Sequence, residues 1–353
     1  MPDDRRNHRS RFKRRNSTPY KKKQPVFAAL DLGTNNCRLL VATPTREGFR
    51  VIDAFSRIVR LGEGISHSGQ LSDAAMERAI EALTICASKI NKRQVTMMRS
   101  VATEACRLAD NCGAFVDEVF EQTGIALDVI SSQEEARLAV MGCQSLFKPS
   151  YDRAIVFDIG GGSTEIIWID TTDTLNPEII DWISMPYGVV RLADRYDFRN
   201  LTVAEYEEII ASVTEQLIPF SERNNMNDFI VEGRVQLLGS SGTVTTLASL
   251  GLGLNAYDRS IVDGAKLDLA KIKHITNDVG TMSFADRASL SCVGEERADL
   301  LVPGCAIFES LLRSWPAEYI YVADRGIREG VLRSLLNRSG FVASRQGDQE
   351  MQL

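Results

Sequence analysis

The residues of this chain that could do chemistry gather around two glycine turns. The first reads Asp31-Leu-Gly33-Thr34-Asn35-Asn36, the second Asp158-Ile-Gly160-Gly161-Gly162-Ser163-Thr164-Glu165, and their aspartates stand 127 positions apart. Each turn lies between two apolar, β-prone runs, the pattern of strand, tight turn and strand. Glycine lets backbone N–H groups approach an anion with no Cβ in the way. Successive amides, with the side chains of Thr34, Asn35, Ser163 and Thr164, make a concave nest for phosphate oxygens. Asp31 and Asp158, at the strand ends, would hold a hydrated Mg²⁺ that neutralises those phosphates. One such segment could equally be an ordinary glycine-rich hairpin; two copies with aligned Asp and Gly favour the phosphate reading. A third loop, Gly239-Ser240-Ser241-Gly242-Thr243, runs from a β-prone stretch into a helical one. That is a generic anion site, weak by itself.

Few other reactive groups are available. Of three histidines, only His67 and His274 lie outside the basic N-terminal stretch, which argues against a histidine-rich metal centre. No Gly-x-Ser-x-Gly elbow is present for a Ser-His-Asp hydrolase. Proton transfer therefore falls to carboxylates. Seven cysteines, an odd number without any Cys-x-x-Cys, argue for a reducing cytoplasm and against a disulfide scaffold or zinc ribbon. No apolar run approaches the roughly 18 residues of a membrane-spanning helix, and no hydrophobic segment follows the basic N-terminus as in a signal peptide.

The elements that must position these groups alternate between strands and amphipathic helices. A helix capped by Ser72 or Asp73 runs to about Ile90, and residues 95–98 form a strand leading to Thr103-Glu104-Ala-Cys-Arg107. A strand at 126–130 precedes a helix from about Glu134. Thr202 caps a helix to about Leu217, and further helices cover about 267–278, 304–313 and 326–336. The alternation predicts α/β layers, and the repeated hairpin predicts two similar domains with a cleft between them. With 353 residues and about 150 per domain, the division expected is 25–148 and 149–340, flanked by an arm at 1–24 and a tail at 341–353. The arm holds ten Lys or Arg against Asp3 and Asp4, a charge of +8; the formal net charge of −6 then leaves −14 on the remainder. So basic and apolar-poor a segment reads as disordered. It is either a solvated tail or a weak contact for polyanions, RNA or an anionic membrane.

Beyond the turns, Thr103-Glu-Ala-Cys-Arg107, Ser131-Ser-Gln-Glu-Glu135-Ala-Arg-Leu-Ala139, Glu295-Glu-Arg-Ala-Asp-Leu-Leu-Val-Pro-Gly304 and Arg328-Glu-Gly-Val-Leu332 carry a resemblance. The turns resemble those of the actin, sugar-kinase and Hsp70 superfamily. With these motifs, residues 25–340 resemble the exopolyphosphatase and guanosine pentaphosphate phosphohydrolase (Ppx/GppA) family, in its short form without C-terminal His-Asp domains. The resemblance implies two RNase H-like (actin-like) domains and hydrolysis of the terminal phosphate of inorganic polyphosphate, with Mg²⁺. Guanosine pentaphosphate (pppGpp) is the alternative substrate on the same site, and a non-catalytic alarmone sensor is an alternative of another class. It further implies a cytoplasmic homodimer. Glu135 matches the base that activates water, and Glu165 a second catalytic carboxylate. Thr34, Asn35, Arg107, Gly160, Gly161 and Ser163 match phosphate-binding positions, to which Gly239, Ser241 and Gly242 of the third loop are added; Asp158 and Asp31 are the expected metal residues. From the residues alone, Ser131-x-x-Glu134 and Ser132-x-x-Glu135 are simply capping boxes. Two departures stand out: Asn36 where serine is usual, and Ala323-Asp324-Arg325-Gly326 in place of Ser-Asp-Gly. Arg60 and Arg191 read as surface residues, and the acidic body calls for a local Arg/Lys-lined channel.

Overall fold

The computed structural model describes residues 24–46 and 48–339. All but the last residue of the basic arm, and the whole tail, lie outside them. Within them one strand plan is built twice. In the first sheet β1 (Phe27–Leu32), β2 (Asn36–Thr45) and β3 (Gly48–Ile58) form an antiparallel meander. Next, β4 (Met97–Ala102) and β5 (Asp128–Val129) join in parallel, in the order β3-β2-β1-β4-β5. In the second sheet β6 (Arg153–Ile159), β7 (Thr164–Asp170) and β8 (Glu178–Met185) repeat the meander. Beside it lie β9 (Val235–Ser240), the short edge strand β10 (Lys266–Asp268) and β11 (Tyr319–Ala323), in the order β10-β11-β9-β6-β7-β8. Residues of β1 and β6 are apolar on both faces, as central strands covered on two sides must be.

Four of the longer helices begin at a side-chain cap. In α1 (Asp73–Arg93), Ser72 Oγ accepts the Ala75 N–H. After the single-turn helix α2 (Glu104–Leu108), α3 (Ser132–Cys143) begins at Ser131, whose hydroxyl accepts from Glu134 N–H. Glu135 therefore lies in the first turn, one residue past the capping position. Next come the short α4 (Val189–Ala193) and then α5 (Val203–Arg223), which opens on a reciprocal Thr202–Glu205 box. This helix continues six residues past the expected end at Leu217 and through Pro219, because Val213, Leu217 and Phe220 anchor its face in the core. Then follow α6 (Ser241–Gly251), α7 (Leu269–Thr281), α8 (Leu301–Ser314) and α9 (Ile327–Arg338). The helix expected from Leu267 instead starts after Asp268, since residues 266–268 pair with β11.

Two of these helices lie between the sheets and cross over. From the first half, α3 packs Ala136, Ala139, Val140 and Cys143 on β6, β7 and β9. From the second, α9 packs Val331, Leu332, Leu335 and Leu336 on β1, β2 and β4. Each buried Val or Leu among them contributes roughly 1.5–3 kcal/mol. The helices meet backbone to backbone: a Cβ on Gly330 would strike the Leu138 carbonyl, and one on Gly142 the Gly326 carbonyl. Each half thereby completes the other's core, and α3 is fixed with its N-terminal turn at the cleft between the lobes.

Candidate active site

The strand register builds the site. Asp31 pairs with Arg38 across β1 and β2, and Asp158 pairs with Glu165 across β6 and β7. Both turns close alike: Gly33 N–H donates to Asn36 and Gly160 N–H to Ser163, each at 2.9 Å. The turns abut across the cleft. A Cβ on Gly162 would stand 2.8 Å from Thr34 Oγ1, and one on Gly161 3.1 Å from the Asn35 nitrogen. Thr34, Asn35, Gly160, Gly161, Ser163, Ser241 and Gly242 line one interlobe cavity together with Asp31, Asp158, Glu135 and Glu165.

Glu135 and Glu165 reach this cavity from opposite lobes, and both are buried. Burial first, and then the charge of Glu165, raises the Glu135 carboxyl well above the usual carboxylate range; Arg107 opposes this. Glu165 is pushed up to about 7, chiefly by burial and then by Asp158. Its Oε1 accepts from Ser163 Oγ at 2.6 Å and from Ser184 Oγ at 2.9 Å, leaving Oε2 to the cavity. The adjacent Glu134 has the opposite environment. Paired with Arg137 and Arg99, it is held down at about 2. Two neighbouring glutamates on one helix turn are thus assigned different chemistry by their surroundings.

Several expected residues sit elsewhere. Arg107 does not line the cavity: Nη1 donates to Glu135 Oε2 at 2.7 Å and to the Ile130 carbonyl at 2.9 Å, while Nε and Nη2 hold Glu104. Gly239 lies in β9 against the Phe157 ring and is a packing residue. The Ser241 hydroxyl is taken by the Ile159 carbonyl, so only its backbone is left for a ligand. Arg60 is no mere surface cation. Its guanidinium forks onto Asp299 of the other lobe at 2.9 and 3.2 Å. Arg191 Nε is buried without a partner, at a helix whose first amides donate to Gly160 and Gly161. Arg38 and Arg297 line the cavity and were not singled out from the sequence. The register was the available signal for Arg38, which occupies the first-turn position equivalent to Glu165.

Among the described residues no three His, Cys, Asp or Glu side chains converge as a metal cage. Asp31 and Asp158 nevertheless face the cavity as a pair. Burial raises the proton affinity of both, and Asp31 Oδ1 is buried with no hydrogen-bond partner. An orphaned carboxylate oxygen beside a second carboxylate fits Mg²⁺, which takes one or two protein carboxylates and fills its shell with water and phosphate.

A duplicated α/β frame with a polar cleft between its lobes defines an actin-like two-domain protein. The chain belongs to the Ppx/GppA phosphatase family, whose model matches residues 40–339. The solved Aquifex aeolicus family member is 26% identical, with a TM-score of 0.72 over 90% of this chain and 99% of that one. An exopolyphosphatase from Cytophaga hutchinsonii is 25% identical, with a TM-score of 0.79 over 88% of this chain and 98% of its own. A curated relative from Aeromonas salmonicida, named guanosine-5′-triphosphate,3′-diphosphate pyrophosphatase, is 26% identical over 320 residues, or 89% of this chain. The match spans 60% of that relative's length. Among the described residues no helix is long and apolar enough to cross a membrane.

Proposed function

We propose that this chain is a phosphohydrolase that removes the terminal phosphate of inorganic polyphosphate, with water as acceptor. One observation carries the reading: two buried carboxylates of raised proton affinity, Glu135 and Glu165, come from opposite lobes to a cavity walled by both glycine turns. A carboxylate in such surroundings is a stronger base than one in water, which suits it to take a proton from an attacking water. The oxygen of that water bonds to the terminal phosphorus, the anhydride P–O bond breaks, and the shortened chain leaves with the bridging oxygen. Glu135, oriented by Arg107, receives the proton; Oε2 of Glu165 steadies the water. Turn amides and the hydroxyl of Thr34 cradle the phosphoryl oxygens, while the Ser163 hydroxyl holds Glu165. Asp31 and Asp158 would hold Mg²⁺, which when bound neutralises phosphate charge.

The name of the Aeromonas relative favours a second substrate, the 5′-phosphate of pppGpp, on the same machinery. Phosphate release from long-chain polyphosphate, tripolyphosphate and pppGpp, each with Mg²⁺, decides between them. The polyphosphate reading expects the highest kcat/KM on the long chain. Preference for pppGpp installs the second reading, and release from none of the three overturns both in favour of a sensor.

A further inference from the structure

The first lobe holds two pairs of neighbouring thiols, and their surroundings set them apart. Cys37 of β2 and Cys86 of α1 stand 4.0 Å apart, sulfur to sulfur, both wholly enclosed in the core. Neither meets solvent. Cys106 is buried in α2, whereas Cys112 is half-buried and opens the twelve-residue helix Cys112–Thr123. Two successive turns fold the connection back on itself: Ala109 N–H donates to Ala105 at 3.2 Å, and Cys112 N–H to Ala109 at 3.1 Å. Cys106 belongs to the apolar cluster of this lobe and Cys112 packs against it, which brings the two thiols into contact.

The two sulfurs divide the roles that a reversible disulfide needs. A hydrogen bond from Cys106 holds the Cys112 thiol down at about 7, against the effect of burial. The same contact, with burial, raises the Cys106 thiol. A place in the first turn of a helix favours the Cys112 thiolate further. The more exposed sulfur is therefore the more readily ionised, with a resolving thiol beside it, the arrangement that selects a cysteine for oxidation. At Cys37 the contact with Cys86 and burial raise the thiol, so that pair stays reduced. Arg107 lies between Cys106 and Cys112 in the chain and donates to Glu135 at 2.7 Å.

We infer that Cys106 and Cys112 form a reversible disulfide site for peroxides, whose closure draws Arg107 off Glu135. The Cys112 thiolate attacks one peroxide oxygen; the O–O bond breaks, hydroxide leaves, and the sulfur is oxidised to a sulfenic acid. The Cys106 sulfur then bonds to it, the S–O bond breaks, and the hydroxyl departs as water with the Cys106 proton. Overall both thiols are oxidised and the peroxide is reduced to water. The sulfurs must close to about 2.05 Å in the disulfide, and α2, only five residues long, carries that movement to Arg107. The disulfide itself is independent of the proposed hydrolysis; its effect through Glu135 rests on that reading. In the test, the full chain is treated with hydrogen peroxide, alkylated and digested with trypsin, which cuts after Arg107 and so parts the two cysteines. Residues 100–107 and 108–137 should appear as one linked pair, lighter than their sum by two hydrogens and absent after dithiothreitol. Cys112→Ser should abolish the link, and Cys106→Ser should leave Cys112 as a sulfenic acid that dimedone traps. Phosphate release by the oxidised protein should fall about tenfold and return with dithiothreitol, while Cys112→Ser resists. Sulfinic Cys112 without linked peptides, or a linked Cys37–Cys86 pair instead, would overturn the site whether or not the chain hydrolyses polyphosphate. A linked protein of full activity would overturn the pull on Arg107.

Discussion

Replacing Arg107 by methionine separates two roles open to a cation near a phosphate cleft. Four of its five N–H groups are engaged with Glu135, Ile130 and Glu104, so its charge acts on Glu135 rather than on a ligand. Burial and Glu165 raise the Glu135 pKa, and Arg107 lowers it. An opposite charge at contact distance is worth roughly one to three pKa units to a carboxylate; its removal shifts Glu135 further upward by about that much. Only the ionised form accepts a proton, so the acid limb of kcat/KM should move to higher pH by the same amount. Activity should recover toward alkaline pH. At a pH about one unit below the displaced limb the loss is roughly tenfold. Methionine also strands the Ile130 carbonyl and removes both hydrogen bonds to Glu104, and deleting one partner of a buried pair costs about 3–5 kcal/mol. Because Glu104 keeps some exposure, a loss of stability at the lower end of that range, seen as a lower Tm, is expected. Phosphate release measured across pH, beside thermal melts, is the assay. A higher KM at every pH with the acid limb unmoved would make Arg107 a ligand clamp and refute this reasoning.

Glu135→Gln and Glu165→Gln should each cut phosphate release by about 10²–10⁴-fold while polyphosphate binding persists; a near-native rate in either removes that carboxylate from the chemistry. Chelation of Mg²⁺ should stop release, and Asp31→Asn should raise the Mg²⁺ concentration for half-maximal rate. An unchanged Mg²⁺ response would place the ion elsewhere. Gly330→Ala pushes a Cβ into the Leu138 carbonyl and should destabilise the chain by about 1–3 kcal/mol, read from denaturant midpoints. An unshifted midpoint would show that α3 and α9 can part without cost.

Much of the frame was legible because it rests on local rules. The hairpins announce themselves by Asp-aliphatic-Gly between β-prone runs, and α1 and α5 by Ser72 and Thr202 at their starts. The departures arise where tertiary packing overrides a local signal. Pro219 should end a helix, yet Leu217 and Phe220 hold it in the core. Residues 266–268 are too few to show a strand period and are strand only because β11 lies beside them. Within the site, Glu135 and Glu134 share one capping pattern. What distinguishes them is burial against Glu165 for one and the Arg99 and Arg137 pairs for the other, partners no spacing rule connects. Arg107 was expected on phosphate because the family resemblance implies that role for it. Its direction is set by a carboxylate 28 residues further on. Arg38, Arg297 and Arg328 are three among 41 cationic residues, and what marks them is their place on the cleft wall, which no spacing rule reveals.

The duplicated frame explains how an asymmetric centre arises from two similar halves. Asp31 and Asp158 are identical at equivalent places, as two holders of one cation would be. Across the strand the copies diverge in sign, Arg38 in one and Glu165 in the other. The crossing helices diverge as well. Three residues after the cap both carry a glutamate tied up in ion pairs, Glu134 and Glu329; the next position is Glu135 in one and Gly330 in the other. A second carboxylate at 330 could not be housed, because the Leu138 carbonyl fills that space. Nor could one at 38 stand beside Asp31, Asp158, Glu135 and Glu165 without adding a fifth carboxylate to one cavity. The cations, like the carboxylates, come from both halves: Arg38 on a strand of the first and Arg328 on the crossing helix of the second. The two copies are therefore complementary, and neither half alone holds both Glu135 and Glu165.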